Sequence, residues 1–230
     1  MSYRFQMIIA IDGPAGAGKS TTARGVAERF GFAYVNTGAM YRAVALAAAE
    51  QSLSLPQDSD RIIELARELP IVLKDKGQRI FIGEREVTDL IRAPHIGELT
   101  SQISAIPEVR ASIVRQQRRL AEASRCECGG AVLEGRDIQT VVCPDAEVKI
   151  FLTANPQTRA ARRLSEWQSK GEEVTFDQAQ SDITTRDARD SKREVSPLQA
   201  APDAVVLATD DLSPEEVIER IAQIVREQMR

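Results

Sequence analysis

A glycine-rich octapeptide near the start of the chain has the composition of a phosphate-binding loop. The stretch GPAGAGKS, residues 13–20, separates Gly13 by four residues from the run Gly18-Lys19-Ser20, which is the spacing of a phosphate loop. Glycines let backbone N–H groups converge on anionic oxygens, and the N-terminus of a following helix adds partial positive charge. Lys19 would reach the β- and γ-phosphates of a nucleoside triphosphate, and Ser20 would offer its hydroxyl to Mg²⁺. The predicted triphosphate site consists of Gly13, Pro14, Ala15, Gly16, Ala17, Gly18, Lys19, Ser20 and Thr21.

A glycine-rich turn without a ligand is the alternative interpretation of this octapeptide. The apolar run MIIAID directly before it predicts a buried strand. After it, apolar residues recur at the spacing of one helical face up to Phe30, and Gly31 marks the end of that helix. A strand before the loop and an amphipathic helix after it are the context that a phosphate loop requires, so we favour triphosphate binding.

Further charged side chains stand where two other strands are predicted to end. The stretch NTGAMYR contains Thr37 and Arg42, and the stretch EGRD contains Glu134, Arg136 and Asp137. Open α/β sheets bind ligands at the carboxyl ends of their strands. Glu134 suits a carboxylate that holds Mg²⁺ through water, and Arg136 can hold a phosphate bidentately. The alternatives are a surface position for Arg42 and a local ion pair between Glu134 and Arg136.

The stretch RDARDSKR, residues 186–193, concentrates charge near the end of a predicted helix. On a helix Arg186, Asp190 and Arg193 project within a sector of about 60°, with Arg189 alongside. Three arginines on one solvated face would stabilise the protein little, whereas the same three arginines would stabilise bound phosphates strongly. We therefore favour an anion-binding face over a solvated helix.

These side chains must be positioned by an alternation of strands and helices. Apolar runs predict strands at MIIAID (7–12), AYVNTG (33–38), AVLEG (131–135), EVKIFLTA (147–154) and DAVVLAT (203–209). Helices are predicted at 40–50, 58–69 and 95–105, from Pro107 onward, through much of 156–193, and after the capping box at Ser213. Such alternation predicts an α/β fold with a doubly wound parallel sheet flanked by helices. The segment 71–92 reads as a small antiparallel meander inserted into that scaffold.

Composition narrows the range of partners. The net charge of −4 and the isoelectric point near 5.3 argue against bulk affinity for nucleic acid or an acidic membrane. The three cysteines form no CxxC pair, and a lone histidine, His95, forms no metal cluster. No stretch reads as a membrane span or a signal peptide, so we expect a cytoplasmic protein.

Three classes of protein share the phosphate loop, and other signals separate them. A GTPase switch carries an Asn/Thr-Lys-x-Asp motif for guanine, and a transporter ATPase carries an LSGGQ-like stretch; the sequence contains neither. A small-molecule kinase must hold a second anion beside the triphosphate, which requires cations outside the loop. Arg42, Arg136 and the arginines of the RDARDSKR stretch meet that requirement and favour a kinase.

Six stretches together resemble the bacterial cytidylate kinases. They are IDGPAGAGKS, NTGAMYRAVAL, SQISAIPEVR, EGRDIQTVVCPDAEVKIFL, RDARDSKR and SPLQAAPDAVVLAT, and they run in the family's order across nearly the whole chain. The resemblance implies transfer of the γ-phosphoryl group of ATP to CMP or dCMP, giving ADP and CDP or dCDP, with Mg²⁺, in pyrimidine nucleotide metabolism. We also expect a monomer whose partners are the small-molecule nucleotides ATP, CMP and dCMP. Gln139 and Cys143 depart from the family's pattern, which leaves the turn after the strand at 131–135 in question.

The resemblance also assigns site residues. Ser101, Arg110 and Asp137 would read the cytosine. Arg42, Arg136 and Arg193 would hold the CMP phosphate. The implied catalytic residues are Lys19, Arg136, Asp190 and Arg193. The remaining acceptor-site residues implied by the family are Thr37, Tyr41 and Arg186, and Asp190 would contact the ribose hydroxyls.

The family resemblance further divides the chain, which we expect to form a single domain over 1–230. The core would cover about 1–38, 128–155 and 176–230, with a nucleoside-monophosphate-binding insertion at about 39–127 that contains the small antiparallel sheet. A short lid is expected at about 156–175, where Arg159 and Arg162 would meet ATP unless they are surface arginines.

Two alternatives remain open from the sequence. One is a phosphate-loop kinase with another acceptor, such as UMP, AMP or a small phosphorylated metabolite. The other is a regulatory module that binds ATP as a switch. The second predicted anion site, formed by Arg42, Arg136 and Arg193, argues against a switch.

Overall fold

The computed structural model describes residues 6–169, 171–193 and 195–229. Residues 1–5, 170, 194 and 230 of the predicted domain lie outside the described residues. In chain order the elements are β1 (Met7–Asp12), α1 (Lys19–Phe30), β2 (Ala33–Asn36), α2 (Thr37–Glu50), α3 (Ser59–Glu68), β3 (Ile71–Lys74), β4 (Arg79–Ile82), β5 (Arg85–Glu86), α4 (Pro94–Ile103), α5 (Pro107–Cys128), β6 (Gly130–Gly135), β7 (Val148–Thr153), α6 (Pro156–Gln168), α7 (Phe176–Ser191), β8 (Val205–Ala208) and α8 (Pro214–Gln228).

A parallel sheet of five strands forms the centre of the fold. Its order is β2-β6-β1-β7-β8, and all four pairings are parallel. Numbered along the chain within the sheet, this order is 2-3-1-4-5. The carboxyl ends of the strands therefore share one edge. Strand β1, which precedes the phosphate loop, is a direct neighbour of β6, where the EGRD stretch begins. This arrangement confirms the predicted doubly wound parallel sheet.

Helices cover both faces of this sheet. On one face α1 and α8 pack on β1, β6 and β7 through residues such as Val26 and Ile221. On the other face the middle of α5 contributes Val114 and Ala121 to a cluster with β6. Because both faces are covered, β1 and β6 are buried and apolar up to their carboxyl ends, where Asp12 and Glu134 stand.

The segment between β2 and β6 has a hydrophobic core of its own. Its buried side chains lie between Ala39 and Ile113 and come from α2, α3, the small sheet, α4 and the first turns of α5. The small sheet is antiparallel, in the order β3-β4-β5, and does not join the parallel sheet. The predicted meander is thus confirmed as a separate sheet.

Two helix boundaries differ from the prediction. Helix α2 begins at Thr37 rather than Met40, because the Asn36 side chain accepts a hydrogen bond from the Ala39 backbone N–H at 3.0 Å and caps the helix there. Helix α7 ends at Ser191, so Arg193 lies beyond the helix rather than on the face predicted for it. Among the described residues, no helix combines the length and the apolar character needed to cross a membrane.

Candidate active site

The octapeptide forms a tight loop between β1 and α1. Its turn requires glycine at Gly16, whose φ is +75° and where a Cβ atom would lie 2.8 Å from the carbonyl oxygen of Arg159. Gly18 takes the left-handed conformation directly before the first helical residue, Lys19. The Lys19 ammonium folds back and donates a hydrogen bond to the Pro14 carbonyl at 2.7 Å. The loop thus has the backbone conformation that a phosphate cradle needs, with the lysine held inside it.

The Lys19 ammonium is in an environment that disfavours its charge. The side chain is 7% exposed. Burial and then the nearby Arg136 guanidinium lower the pKa of Lys19 to about 7, although Glu134 and Asp190 oppose this shift. Among the described residues this ammonium donates to a carbonyl and forms no ion pair, so a phosphate group would supply a direct anionic partner.

A carboxylate on the neighbouring strand faces the loop. Glu134 is 3% exposed, and its Oε2 accepts a hydrogen bond from the Ser20 hydroxyl at 2.9 Å. Its other oxygen accepts from the Tyr34 hydroxyl, which in turn accepts from the Asn36 amide at 3.1 Å. These contacts fix the carboxylate at the mouth of the loop, where a hydroxyl and a carboxylate offer the hard oxygen ligands that Mg²⁺ prefers.

A second carboxylate ties β1 to the turn after β6. Asp12 is fully buried and accepts hydrogen bonds from the backbone N–H groups of Ile138 and Gln139 at 3.1 and 2.9 Å. Burial raises the pKa of Asp12 to about 6, against the lowering effect of these two hydrogen bonds. Gln139, a departure from the family's pattern, is buried there and donates its side-chain amide to the Ile150 carbonyl at 3.1 Å. The turn accommodates this glutamine by making it part of the core.

The residues predicted for the acceptor line one cavity of about 140 Å³ beside the phosphate loop. They come from α2, α4, α5, the end of β6, and α7 with its following residues. The predicted residues that line it are Thr37, Tyr41, Arg42, Ser101, Arg110, Arg136, Asp137, Arg186, Asp190 and Arg193. The structure therefore gathers into one cavity every residue that the sequence assigned to CMP.

An ion pair closes the inner end of this cavity. Arg110 is 3% exposed, pairs with the Asp137 carboxylate, and donates to the Ser104 carbonyl at 3.1 Å. Its guanidinium lies 5.6 Å from the ring centroid of Tyr41, within cation–π distance. This end of the cavity thus offers fixed donors and acceptors next to an aromatic ring, which suits a polar heterocycle.

A buried carboxylate links two arginines on the cavity wall. Asp190 accepts from Arg136 Nε at 2.6 Å and pairs with Arg193. Burial raises the pKa of Asp190, but the two guanidinium groups outweigh it and hold that pKa below its ordinary value. Arg136 therefore pairs with Asp190, rather than with Glu134 as the alternative interpretation supposed. Arg186 does not pair with Asp190 four residues on; it pairs at 2.9 Å with Asp182, which precedes it on α7.

Three cations meet where this cavity joins a larger cleft of about 540 Å³. Arg42, Arg136 and Arg186 line both spaces, and the larger one also contains Lys19, Ser20 and Glu134. Burial first, and then Arg186, lowers the pKa of Arg42 to about 10. Gly97 of α4 makes room for this cluster, because a Cβ atom there would lie 3.3 Å from the Arg186 guanidinium. Arg136 and Arg186 each have a carboxylate partner, whereas Arg42 donates to the Ile91 carbonyl at 3.0 Å and has no ion pair among the described residues.

The loop also borders a third cavity of about 520 Å³, on the side away from the acceptor. Arg162 lines it and donates to the Thr209 hydroxyl at 2.9 Å. Arg159, in contrast, lines none of the three cavities described, because its guanidinium donates to the carbonyls of Ala154 at 2.9 Å and Ala15 at 3.1 Å and pairs with Asp187. The ATP contacts expected of Arg159 and Arg162 stay predictions.

Several residues of the site were missed by sequence reasoning. Tyr34 and Asn36 lie on β2 beside β6, where Asn36 pairs in register with Glu134. Asp187 accepts from the Ala15 backbone N–H at 3.4 Å and so supports the phosphate loop. The sequence signal for Asp187 was its place in the RDARDSKR stretch. Tyr34 and Asn36 could have been found from the pairing of their strand with the strand that carries Glu134.

A phosphate loop at the carboxyl edge of a 2-3-1-4-5 parallel sheet, facing an arginine-lined cavity on an inserted region, defines the class of phosphate-loop nucleoside monophosphate kinases. Two solved structures share the overall fold. TT1252 from Thermus thermophilus has a TM-score of 0.50 at 18% identity, covering 97% of this chain and 98% of that chain. An uncharacterized protein from Eubacterium ventriosum has a TM-score of 0.51 at 12% identity, covering 96% of this chain and 99% of that chain.

The family model for cytidylate kinase matches residues 9–227, and the chain belongs to the cytidylate kinase family. A cytidylate kinase of Carboxydothermus hydrogenoformans is 46% identical over 221 residues, which cover 95% of this chain and 97% of that protein. A cytidylate kinase of Exiguobacterium sibiricum is 47% identical over 218 residues, which cover 94% of this chain and 95% of that protein. A bifunctional pantoate ligase/cytidylate kinase of a Synechococcus strain is 44% identical over 225 residues, covering 96% of this chain and 41% of that longer protein.

Proposed function

We propose that this protein transfers the γ-phosphoryl group of ATP to CMP or dCMP, giving ADP and CDP or dCDP. Membership of the cytidylate kinase family supports the reaction. The observation that carries the residue assignment is the single cavity that brings together all the predicted acceptor residues and opens toward the phosphate loop.

In this proposal the acceptor lies with its base at the inner end of the cavity. Arg110, Asp137 and Ser101 read the cytosine, because their donors and acceptors are held at fixed positions around that end. A site built from fixed hydrogen-bonding groups rejects a base that leaves them unpaired, often by several orders of magnitude. Tyr41 packs beside the base, and Thr37 borders the space left for the sugar.

The phosphate of the acceptor lies at the junction of the two spaces. Arg42 and Arg136 line that junction, and Arg193 lies on the adjoining wall, so these three guanidinium groups hold the phosphate. Asp190 accepts from the ribose hydroxyls while it holds Arg136 and Arg193 in place. Arg186 lies between the two substrates and contacts the transferring group.

The donor lies along the phosphate loop, with its base in the cavity of about 520 Å³. Lys19 leaves the Pro14 carbonyl and binds the β- and γ-phosphates, and the backbone from Gly13 to Thr21 cradles the chain of phosphates. Arg162 lies at the edge of this cavity, where it would contact ATP as α6 closes.

Mg²⁺ fits the paired oxygens of Ser20 and Glu134. The two atoms lie 2.9 Å apart at the mouth of the loop, and Tyr34 holds the carboxylate from the other side. Ser20 would ligate the ion directly and Glu134 through a water molecule. When bound with ATP, Mg²⁺ neutralises phosphate charge as the phosphoryl group leaves.

The chemistry requires positioning and charge neutralisation rather than a covalent intermediate or a general base. The CMP phosphate oxygen attacks the γ-phosphorus in line with the leaving ADP oxygen. Lys19, Arg136 and Arg186 neutralise the charge that spreads over the equatorial oxygens, and they do so in a partly buried site where such contacts are strong. Water must be excluded, because otherwise ATP would be hydrolysed.

We propose that the segment 156–175 supplies the lid that excludes water. Its residues Arg163, Glu166, Trp167 and Glu172 line the cleft of about 540 Å³ opposite the phosphate loop. The base of this segment is anchored to the loop by Arg159, so closure would move its outer part. We propose in addition that the inserted region at about 39–127 binds the acceptor.

We also propose that the protein acts as a cytoplasmic monomer on free nucleotides, without nucleic acid or membrane partners. The net charge of −4 supports the exclusion of nucleic acid. The free cysteines at positions 126, 128 and 143 support a reducing compartment. Light scattering of the purified protein at several concentrations tests the monomer, and a mass of about twice 25.3 kDa would overturn it.

The first experiment measures ADP release from ATP and Mg²⁺ with CMP, dCMP, UMP, AMP or no acceptor. We expect strong turnover with CMP and dCMP, weak turnover with UMP and none with AMP. Turnover with UMP or AMP in preference to CMP would assign the site to another acceptor. ADP release that does not depend on any acceptor would overturn the kinase proposal.

A further inference from the structure

Arg189 of α7 donates hydrogen bonds across to two residues of α4. Its guanidinium donates to Ser101 Oγ at 3.0 Å and to the Glu98 carboxylate at 3.1 and 3.3 Å. Ser101 lines the acceptor cavity and Glu98 lines the larger cleft, whereas Arg189 lines none of the three cavities described. Arg189 therefore contacts two lining residues from behind.

This contact joins two walls of the acceptor cavity. Helix α4 belongs to the inserted region and supplies Gly97, Thr100 and Ser101 to the cavity. Helix α7 lies outside the insertion and supplies Arg186 and Asp190. A shift of one helix against the other would change the distance between Ser101 and the residues on α7, and the Arg189 fork restrains that shift.

The chemistry of the fork also constrains the Ser101 hydroxyl. A guanidinium donates and never accepts, so Ser101 Oγ must use a lone pair to accept from Arg189. That bond fixes the position of the hydroxyl on the helix surface and leaves it with one hydrogen to donate and one lone pair for a ligand. A serine without this partner would sample other rotamers and would bind a base less tightly.

We propose that Arg189 is a positioning residue for acceptor binding, acting through Ser101. This inference rests on the proposed role of Ser101 at the base of CMP. Its contribution lies in the affinity for the acceptor and in the choice of base, not in the transfer step.

Stability should change little when Arg189 is replaced. The Arg189 and Glu98 side chains are 40% and 59% exposed, and pairs this exposed contribute little to folding. We expect Arg189→Met to shift the melting temperature by no more than about 3 °C. Arg226→Met, which removes an exposed pair with Glu219 on α8, is the matched control for loss of a surface arginine.

A double-mutant cycle in steady-state kinetics tests the inference. We expect Arg189→Met to raise the KM for CMP about tenfold, with kcat changed less than about threefold and the preference for CMP over UMP narrowed. In a Ser101→Ala background, Arg189→Met should alter the KM for CMP by less than about twofold, because the serine hydroxyl that Arg189 positions is absent. Arg189→Lys should raise the KM for CMP less than Arg189→Met does. A lysine ammonium reaches Ser101 or Glu98, but it does not bind both at once as the guanidinium does.

Two results would overturn the inference. One is an equal rise in KM in both backgrounds, which would mean that Arg189 acts independently of Ser101. The other is an unchanged KM and base preference in Arg189→Met. Absence of CMP turnover by the wild-type protein would instead overturn the proposed function, so the two failures are distinguishable.

Discussion

The Ser20 hydroxyl lies 2.9 Å from the Glu134 carboxylate, although the two residues are 114 positions apart. The pairing of β1 with β6 creates this contact, because it places the phosphate loop next to the end of β6. A hydrogen bond from the Tyr34 hydroxyl holds the other carboxylate oxygen. The arrangement leaves two oxygens of suitable kind side by side where a metal bound to triphosphate would lie.

Glu134→Gln should weaken the use of Mg²⁺. Glutamine keeps the size of the side chain but replaces a charged oxygen with an amide, so the ion loses its anionic partner. We expect the Mg²⁺ concentration for half-maximal activity to rise about tenfold or more. A titration of activity with Mg²⁺ at fixed ATP and CMP measures it.

Tyr34→Phe is the matched control for this change, because it removes the hydrogen bond to Glu134 and leaves the carboxylate in place. It should give a smaller shift in the same direction. An unchanged Mg²⁺ requirement in Glu134→Gln would remove this carboxylate from the metal site.

Arg193→Ala should weaken catalysis by about 2–4 kcal/mol, or about thirty- to a thousandfold in kcat/KM for CMP, as expected for loss of a buried charge-assisted contact. The arginine lines the acceptor cavity and pairs with Asp190. Lys192→Ala, at an exposed position directly before it, is the control and should stay near wild type. Activity of Arg193→Ala within a few-fold of wild type would return this stretch to the interpretation as a solvated surface.

Asp190→Asn should reduce turnover or acceptor binding without unfolding the protein. The carboxylate holds Arg136 and Arg193 together, and an amide of equal size removes the charge that offsets them. We expect kcat/KM for both CMP and dCMP to fall about tenfold or more, while the circular dichroism spectrum stays unchanged.

Asp177→Asn, an exposed change on the same helix, is the control for Asp190→Asn. The ratio of the two acceptors tests the contact with the ribose, because dCMP lacks the 2′-hydroxyl. Unchanged kcat and KM for both acceptors would exclude the proposed sugar contact.

Motifs with a fixed spacing carried most of what the sequence could predict. The GPAGAGKS loop and the strand and helix around it follow from local glycine and apolar patterns, so the site of the triphosphate was predictable without the rest of the fold. Ser101 and Arg110 had no such local signal, because on a helix they read as surface residues. Their place became predictable through the family resemblance, and the structure shows both at the acceptor cavity.

The sequence pattern placed Arg193 on the helix wrongly, and it did not identify the partner of Asp190. Helical periodicity placed Arg186, Asp190 and Arg193 on one face, but α7 ends before Arg193. Asp190 bonds to Arg136, which follows β6, and Arg186 on the same helix as Asp190 pairs with Asp182 instead. Local spacing reports neither the end of α7 nor the contact between Asp190 and Arg136, which joins two distant parts of the chain.

Binding of ATP should draw a proton onto Lys19. Burial and the neighbouring Arg136 lower the pKa of this ammonium to about 7 in the free protein, so at pH 8.5 most of it is neutral. The phosphates of ATP favour the charged form and raise the pKa, so between the free and bound pKa values the complex holds more protons than the separate partners. Affinity should therefore fall as the pH rises above about 7 through this window.

Calorimetry of a non-hydrolysable ATP analogue with Mg²⁺ at pH 8.5 measures this uptake, as the slope of binding heat against the ionisation enthalpy of the buffer. We expect an uptake approaching about one proton per nucleotide, because the terminal phosphate is already ionised at that pH. Asp12, with its pKa raised to about 6, is also fully ionised there and adds nothing to the slope. Lys19→Arg is the control. A guanidinium keeps its proton at this pH, so proton uptake on nucleotide binding should vanish in this variant. Binding heat of the wild type that does not depend on the buffer would show that the lysine is already charged before the nucleotide arrives.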